Sequence, residues 1–371
     1  MNGRGRAPTI GVEEEYFLVH PASRAPEPEA ARVVARAATR LGDQVTGEFS
    51  RSQIEVKTQP WGEAARLREE LLRLRAGAAA AAAEEGLRIC ASGTPVVAGH
   101  GPVSIGDHPR YRAGVEQYRA MMDDFAVCAF HTHIDLPDRE LAVLVGNHLR
   151  PWLPLLVALS ANSPFHNGRD TGYAGWRAVI RSRFPCLGPP PYAESLRHHH
   201  EIASAIAESD AMLDANMPFW DIRPNPKLPT VEIRAMDVIA DVDDAVALAV
   251  LLRALVTTAT TRAVRGDPGP RPCSELLRAA YWRAAREGWS GSGVDALTGQ
   301  LLPTCIQAQR LVAHVGPALQ EHGDTNRVTA FLARLSLSGG GAERQRASLA
   351  KHGSLTGVVD DLVALTVAAT Y

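Results

Sequence analysis

Thr9-Ile-Gly-Val-Glu-Glu-Glu-Tyr-Phe-Leu-Val19 alternates apolar and aromatic residues as a strand does, yet three consecutive carboxylates, Glu13, Glu14 and Glu15, sit in its middle. Successive side chains of a strand point to opposite faces, so Glu13 and Glu15 share one face while Glu14 lies with Val12, Tyr16 and Leu18 on the other. Like charges held that close raise each other's pKa unless a cation or an arginine neutralises them. Either this is an edge strand whose glutamates are solvated, or the paired carboxylates serve a site.

The same arrangement recurs further along the chain. A strand predicted over Glu48 to Thr58 places Gln53, Glu55 and Lys57 on one face and Ile54 and Val56 on the other. Val127-Cys-Ala-Phe-His-Thr-His-Ile-Asp135 presents His131, His133 and Asp135 together, a spacing that can direct two imidazoles at one ligand. Pro229-Thr-Val-Glu-Ile-Arg-Ala-Met-Asp237 sets Thr230, Glu232 and Arg234 opposite Val231, Ile233 and Ala235. Between these strands the spacing predicts helices over Glu29 to Leu41, Glu63 to Glu85 and Gly114 to Asp123, and an apolar helical region over Glu140 to Asn162 broken by Pro151 and Pro154 and carrying Asn147 and Arg150. Arg177 and Arg181, at i and i+4 on a helix after a polar loop, suit an anion or a solvated basic face. Ser92 to Arg112, rich in Gly, Pro and His, reads as a long irregular segment. From Asp243 the chain is mostly helical, with a last helix ending near Tyr371.

These faces carry Glu, His and Arg rather than the Thr, Ser and Lys of a merely wet sheet. The pattern predicts an α+β fold in which a mainly antiparallel sheet is covered by helices on one face and lines a charged site with the other. The 371 residues, 46% hydrophobic and 22% charged, read as one catalytic domain spanning 1–371 with a helical C-terminal part from about 243. A formal net charge of -2 from 39 basic and 41 acidic residues supplies no field for nucleic acid or an anionic membrane, so any charged site is local. Five dispersed cysteines with no Cys-x-x-Cys pair indicate neither a disulfide framework nor a zinc cluster and fit a reducing cytoplasm. No signal core precedes the first strand, and no uninterrupted apolar run approaches a membrane span.

Several carboxylates with one or two imidazoles and no cysteine describe a hard site for Mg²⁺ or Mn²⁺. Magnesium commonly shares its coordination with phosphates, so such a site beside arginines points to nucleotide chemistry. Neither a P-loop nor a dinucleotide-binding fingerprint is present.

Gly11-Val-Glu-Glu-Glu-Tyr-Phe-Leu-Val19, Ser52-Gln-Ile-Glu55, Asn162-Ser-Pro-Phe165, Asp170-Thr-Gly-Tyr-Ala-Gly-Trp-Arg177, Trp220-Asp-Ile-Arg-Pro224, Pro229-Thr-Val-Glu-Ile-Arg234 and Glu343-Arg-Gln-Arg346, as an ordered set, resemble the carboxylate-amine ligases of the glutamate-cysteine ligase type 2, YbdK-like family. The resemblance implies the fold shared with glutamine synthetase and guanidino kinases, a curved antiparallel sheet forming a funnel that holds ATP and divalent metals. It implies Glu13, Glu15, Glu55, His131 and Glu232 as metal ligands, Arg177 and Arg234 on the acyl carboxylate or transferring phosphoryl group, and Arg181 and Lys57 on the nucleotide. Cys128-Ala-Phe-His-Thr-His-Ile-Asp135 lacks the glycines of the family's histidine strand, Gly93-Thr-Pro-Val96 replaces Gly-Thr-His-Pro, and Ala279-Ala-Tyr-Trp282 replaces Glu-Asn-x-Trp. These departures fall where substrate loops or their supports are expected.

The implied activity is ATP-dependent amide formation between a small acid and a small amine through an acyl phosphate, with no nucleic-acid or membrane partner and a homo-oligomer compatible with it. The alternatives are a phosphotransferase acting on a guanidino or amine substrate, a specialised-metabolism ligase using another acid, and a non-catalytic binding protein on the same fold.

Overall fold

The computed structural model describes residues 7–368. Seven strands form one sheet: β1 (Ile10–Val19), β2 (Val45–Gly47), β3 (Gln53–Lys57), β4 (Arg88–Cys90), β5 (Ala129–Asp135) and, after a two-stranded hairpin β6–β7 (Phe165–His166, Arg169–Asp170), β8 (Ile222–Pro224) and β9 (Thr230–Asp237). The path runs β2-β3-β1-β5-β9-β8, with β4 also on β1, and every pairing within it is antiparallel. The α+β class with an antiparallel sheet expected from the strand patterns is thus the fold observed. β1 occupies the centre, which explains why its sequence organises the rest.

Helices cover the apolar face. Among them are α1 (Ala30–Leu41), α2 (Ala64–Glu84), then α3 (Pro109–Tyr118), α4 (Arg139–Leu149) and α5 (Leu153–Ser160), followed by α6 (Trp176–Ser182), α7 (Leu196–Glu208), α8 (Val242–Val264) and α9 (Ser274–Glu287). Leu67, Leu71, Leu74, Ala78 and Ala81 make the buried stripe of α2 at three- and four-residue spacing. α8 is buried nearly all round by Ala, Val and Leu, and its N-terminus is capped by Asp241, whose side chain accepts from the Asp243 and Asp244 amides. The segment 139–160 is long and apolar enough to cross a membrane by length and composition, but 83% of its 18-residue apolar window is buried inside the fold.

Glu14 belongs to this packed side. Arg75 of α2 donates Nε to Glu14 Oε2 at 2.9 Å, its guanidinium also donates to the Ile239 carbonyl at 2.9 Å, and the Tyr16 hydroxyl donates to the same carboxylate. Both members of the pair are essentially inaccessible. The third glutamate of the triplet therefore fastens the sheet to its helical layer, and it does so because its side chain points away from the other two.

Two predicted elements differ. The helix expected from Gly114 begins at Pro109, because His108 caps it, accepting from the Arg110 amide at 3.2 Å, and Pro109 occupies the first turn, where a missing N–H is harmless. The strand expected over Glu48 to Thr58 is confined to Gln53–Lys57, because a turn at 48–52 separates it from β2. The C-terminal helix spans Leu355–Val367, and Tyr371 lies outside the described residues.

The family-like motifs near the C-terminus act as clamps. Gln345 Nε2 donates to Asn162 Oδ1 at 2.7 Å, Asn162 Nδ2 donates to the carbonyls of Ala91 and Val238, Arg344 pairs with Asp244, and Arg346 pairs with Asp170. These bonds tie the final helices to the sheet behind the polar face.

Candidate active site

The cross-strand register assembles the site. Glu13 stands opposite Lys57 on one side and His131 on the other, Glu15 stands opposite Glu55, and His133 stands opposite Glu232. A register shift between Phe130 and Thr132 on β5 brings Arg234 of β9 toward His131. Residues more than two hundred positions apart thus share one patch of the polar face.

Within it, Glu13, His131 and Glu232 place one ligand atom each within 4.8 Å of one another, and Glu15, Glu55 and His131 do the same. Glu13 Oε2 lies 3.1 Å from His131 Nδ1, and its other oxygen lies 3.5 Å from His133 Nε2. Glu15 accepts the Ala129 amide at 2.7 Å and approaches His131 Nε2 at 3.9 Å. Glu55 is 2.7 Å from Lys57 Nζ and accepts from Thr46 Oγ1 at 3.2 Å. All five residues implied as metal ligands therefore come together, with His131 common to both triads.

Burial and mutual repulsion oppose full ionisation of this carboxylate patch. Burial pushes the Glu15 carboxyl up to about 8, helped by the field of Glu48 and opposed by Arg177. Burial, then Glu13 and Glu48, drive Glu55 well above the ordinary carboxylate range. Burial also raises Glu13, but hydrogen bonds and the fields of His131 and His133 outweigh it and hold the group low. Burial and the nearby Arg234 press His131 down to about 3, leaving a neutral imidazole able to donate a lone pair. A divalent cation between the triads would relieve the repulsion that raises Glu15 and Glu55.

Glu232 is the most heavily claimed carboxylate. Arg223 grips it in a bidentate way, at 2.9 Å from Nε and 3.2 Å from Nη2, Asn225 Nδ2 donates to it at 2.7 Å, and Arg234 Nη1 pairs with its other side. Those cations overcome the burial penalty and keep Glu232 ionised far below its ordinary range. Arg234 keeps Nε without a partner and reaches to 3.5 Å of His131.

The remaining predicted residues fall in different places. Lys57 forms the ion pair with Glu55 at the rim. Arg177 is fully buried beside the patch, its guanidinium donating to the carbonyls of Arg234 and Ala235 at 3.2 Å with Nε unpartnered. Burial and Arg181 lower it to about 10. Arg181, expected on the nucleotide, is not in the patch: it pairs with Asp221 at 2.5 Å and lines a separate cavity.

Three contributors escape the strand-pattern reading. Glu48 bears directly on Glu15 and Glu55, but a continuous strand from Glu48 would have sent it to the apolar face; the turn at 48–52 resets the alternation. Tyr111 packs edge-on against Phe49 at 5.4 Å, and burial followed by Glu48 and Glu55 raises its hydroxyl. Arg223 was visible only as part of a quoted motif, and its carboxylate partner becomes apparent from the β8–β9 register that sets it opposite Glu232.

The model of the Glutamate-cysteine ligase family 2 (GCS2) matches residues 9–364. The chain is 42% identical over 361 residues to "Putative glutamate--cysteine ligase 2-1" of Saccharopolyspora erythraea, covering 97% of this chain and 95% of the relative. It is 41% identical over 363 residues to "Putative glutamate--cysteine ligase 2-2" of Mycolicibacterium vanbaalenii, covering 98% of each. The glutamate–cysteine ligase of Francisella tularensis, solved in complex with AMP, superposes with a TM-score of 0.75 at 12% identity, over 98% of this chain and 89% of that one. A bifunctional glutathione synthetase from Pasteurella multocida gives 0.70 at 14% identity, over 97% of this chain and 52% of that one. At such identities the structural likeness speaks for the fold, and the sequence matches speak for the lineage. With its whole length matched and its sheet assembled as described, the chain belongs to glutamate-cysteine ligase family 2 and is a ligase.

Proposed function

We propose that this ligase uses ATP to join a small carboxylic acid to a small amine through an acyl phosphate, with glutamate and cysteine as the first pair to test. The observation that carries the reading is the pair of carboxylate triads sharing a neutral His131 beside Arg234. A carboxylate is a poor electrophile, so amide formation needs its oxygen converted to a leaving group. An acid oxygen attacks the γ-phosphorus as the bond to the β-phosphate bridging oxygen breaks. The amine nitrogen then attacks the acyl carbon, loses a proton, and expels phosphate.

Glu13, Glu15, Glu55, His131 and Glu232 would hold Mg²⁺ or Mn²⁺. Bound there, such ions would offset the charge gathered on the phosphoryl oxygens. Arg234, fixed by Glu232 on one side, turns its unpartnered Nε to an anion, and its planar fork suits phosphate or carboxylate better than an ammonium would. Arg177 holds β9 through the Arg234 and Ala235 carbonyls, and Arg223 fixes the Glu232 carboxylate from the neighbouring strand. Lys57 stands at the rim for the nucleotide. The reading takes the chain as one catalytic unit acting in the cytoplasm on small molecules.

The test is release of phosphate and ADP by purified protein with ATP, Mg²⁺ and arrays of acids and amines. Phosphate release that requires both an acid and an amine supports the ligase. ADP formed without free phosphate, leaving a phosphorylated guanidine or amine, would replace it with a kinase.

A further inference from the structure

A cavity of about 690 Å³ lies beside β9, between α6, α9 and the proline-rich loop 185–191. Its lining includes Ala235 of β9 and none of the carboxylates or histidines of the patch. Ala178 and Ser182 of α6, Pro189 of the loop, and Tyr281 and Trp282 of α9 form its walls. The last two come from the Ala279–Trp282 segment singled out in the sequence and not used by the proposed reaction.

The charges at its base do not balance. Arg181 is neutralised by Asp221 at 2.5 Å. Arg150, 3% exposed, is not: its Nε donates to the Pro190 carbonyl at 2.8 Å, and its Nη1 is buried without a partner. Its ionisable neighbours are the phenols of Tyr281 and Tyr192 and the cation Arg271, with no carboxylate among the described residues. The Tyr281 hydroxyl lies toward Asp221 yet completes no hydrogen bond. An arginine cannot shed its proton, and a buried, unpaired guanidinium is among the more unfavourable groups a fold can retain. A ligand supplying an anion would compensate it, and the proline and aromatic walls call for an apolar body behind that anion.

We propose that this cavity is a second binding site, separate from the metal-binding patch, for a small organic monocarboxylate with an apolar or aromatic body, its carboxylate held by Arg150 and the Tyr281 hydroxyl. Carboxylate and guanidinium match as a fork, and Trp282 and the prolines cover the rest. The site does not depend on which reaction the carboxylate patch performs.

The experiment is isothermal titration of the full chain with 3-phenylpropanoate, with its neutral amide and inorganic phosphate as controls, with no nucleotide present. One saturable site for the acid, with the amide and phosphate bound more weakly, is expected. Arg150→Gln should weaken the acid roughly tenfold or more, the loss of a charge-assisted pair. Should Arg150→Gln fail to fold, Ser182→Trp, at an exposed position on the cavity wall, should block binding while the circular dichroism spectrum stays that of the wild type. Glu55→Gln should bind the acid normally. Absence of saturable binding, phosphate binding tighter than the acid, unchanged affinity in both cavity variants, or loss of binding in Glu55→Gln would each overturn the proposal, the last by moving the ligand to the metal patch.

Discussion

Replacing Glu15 by glutamine separates metal binding from folding, because the two respond with opposite signs. Glu15 is 6% exposed, accepts the Ala129 amide, and has its carboxyl raised from 4.5 to about 8 by burial and by Glu48. A group with a raised folded-state pKa binds its proton more tightly when folded, so its contribution to stability is complete below about pH 4.5 and is lost as pH climbs toward 8. At about 1.4 kcal/mol per pH unit, the loss at pH 8 has a ceiling of roughly 5 kcal/mol. Relaxation of Glu48 and the compensating fields of Arg177 and Arg234 reduce this to about 2–3 kcal/mol. Glutamine keeps the shape and the Ala129 bond and never ionises. In chelator, Glu15→Gln should therefore match the wild type near pH 5 and exceed it by that amount at pH 8, measured by urea denaturation across the range. Adding Mg²⁺ should stabilise the wild type more than the variant, which keeps only the Glu13–His131–Glu232 triad intact, by the ordinary linkage of binding to folding. A variant that in chelator gains nothing as pH rises, or that responds to Mg²⁺ like the wild type, would refute the reasoning.

Arg75→Met strands the buried Glu14 carboxylate and should cost about 3–5 kcal/mol in urea denaturation, with the Mg²⁺ affinity of the folded protein unchanged. Gly93→Ala puts a methyl 2.7 Å from Asp237, which already accepts the Asn162 amide and the Ser163 hydroxyl; a loss of about 1–3 kcal/mol should show as a lowered melting temperature. Arg234→Lys should fold normally, retain its metal requirement, and lose about 2–4 kcal/mol in kcat/KM, whereas near-normal kinetics with a lowered Tm would make Arg234 a structural partner of Glu232.

Much of this site was legible because strands write their faces into the sequence with a period of two. Glu13 and Glu15, Glu55 and Lys57, His131 and His133, and Glu232 and Arg234 fall on the polar face as that alternation requires, whereas the interior place of β1, between β3 and β5, rules out the edge strand its glutamates also allowed. What alternation cannot convey is a change of phase. The turn at 48–52 delivers Glu48 to the site instead of the core, and the shift at Phe130–Thr132 brings Arg234 toward His131. Nor does periodicity report partners far away in the chain. Glu14 was placed on the apolar face, but its need for Arg75, sixty-one residues on, is a property of helix α2 lying across the sheet. Arg181 shared a helical spacing with Arg177 and yet lines another cavity, drawn there by Asp221, a partner that helical spacing does not report. The ordered motifs near Asn162, Asp170 and Glu343 carried the family resemblance for a different reason: their hydrogen bonds hold the C-terminal helices against the sheet.

The central claim is that one patch of carboxylates, His131 and Arg234 couples ATP cleavage to amide formation. The most direct measurement is phosphate release at saturating ATP, with and without Mg²⁺, for acid alone, amine alone, and the two together. The account predicts release with the complete mixture only, its abolition by chelator, and a fall of orders of magnitude in Glu55→Gln with the fold intact. Release that persists in chelator, or that proceeds at the full rate without the amine, would contradict it.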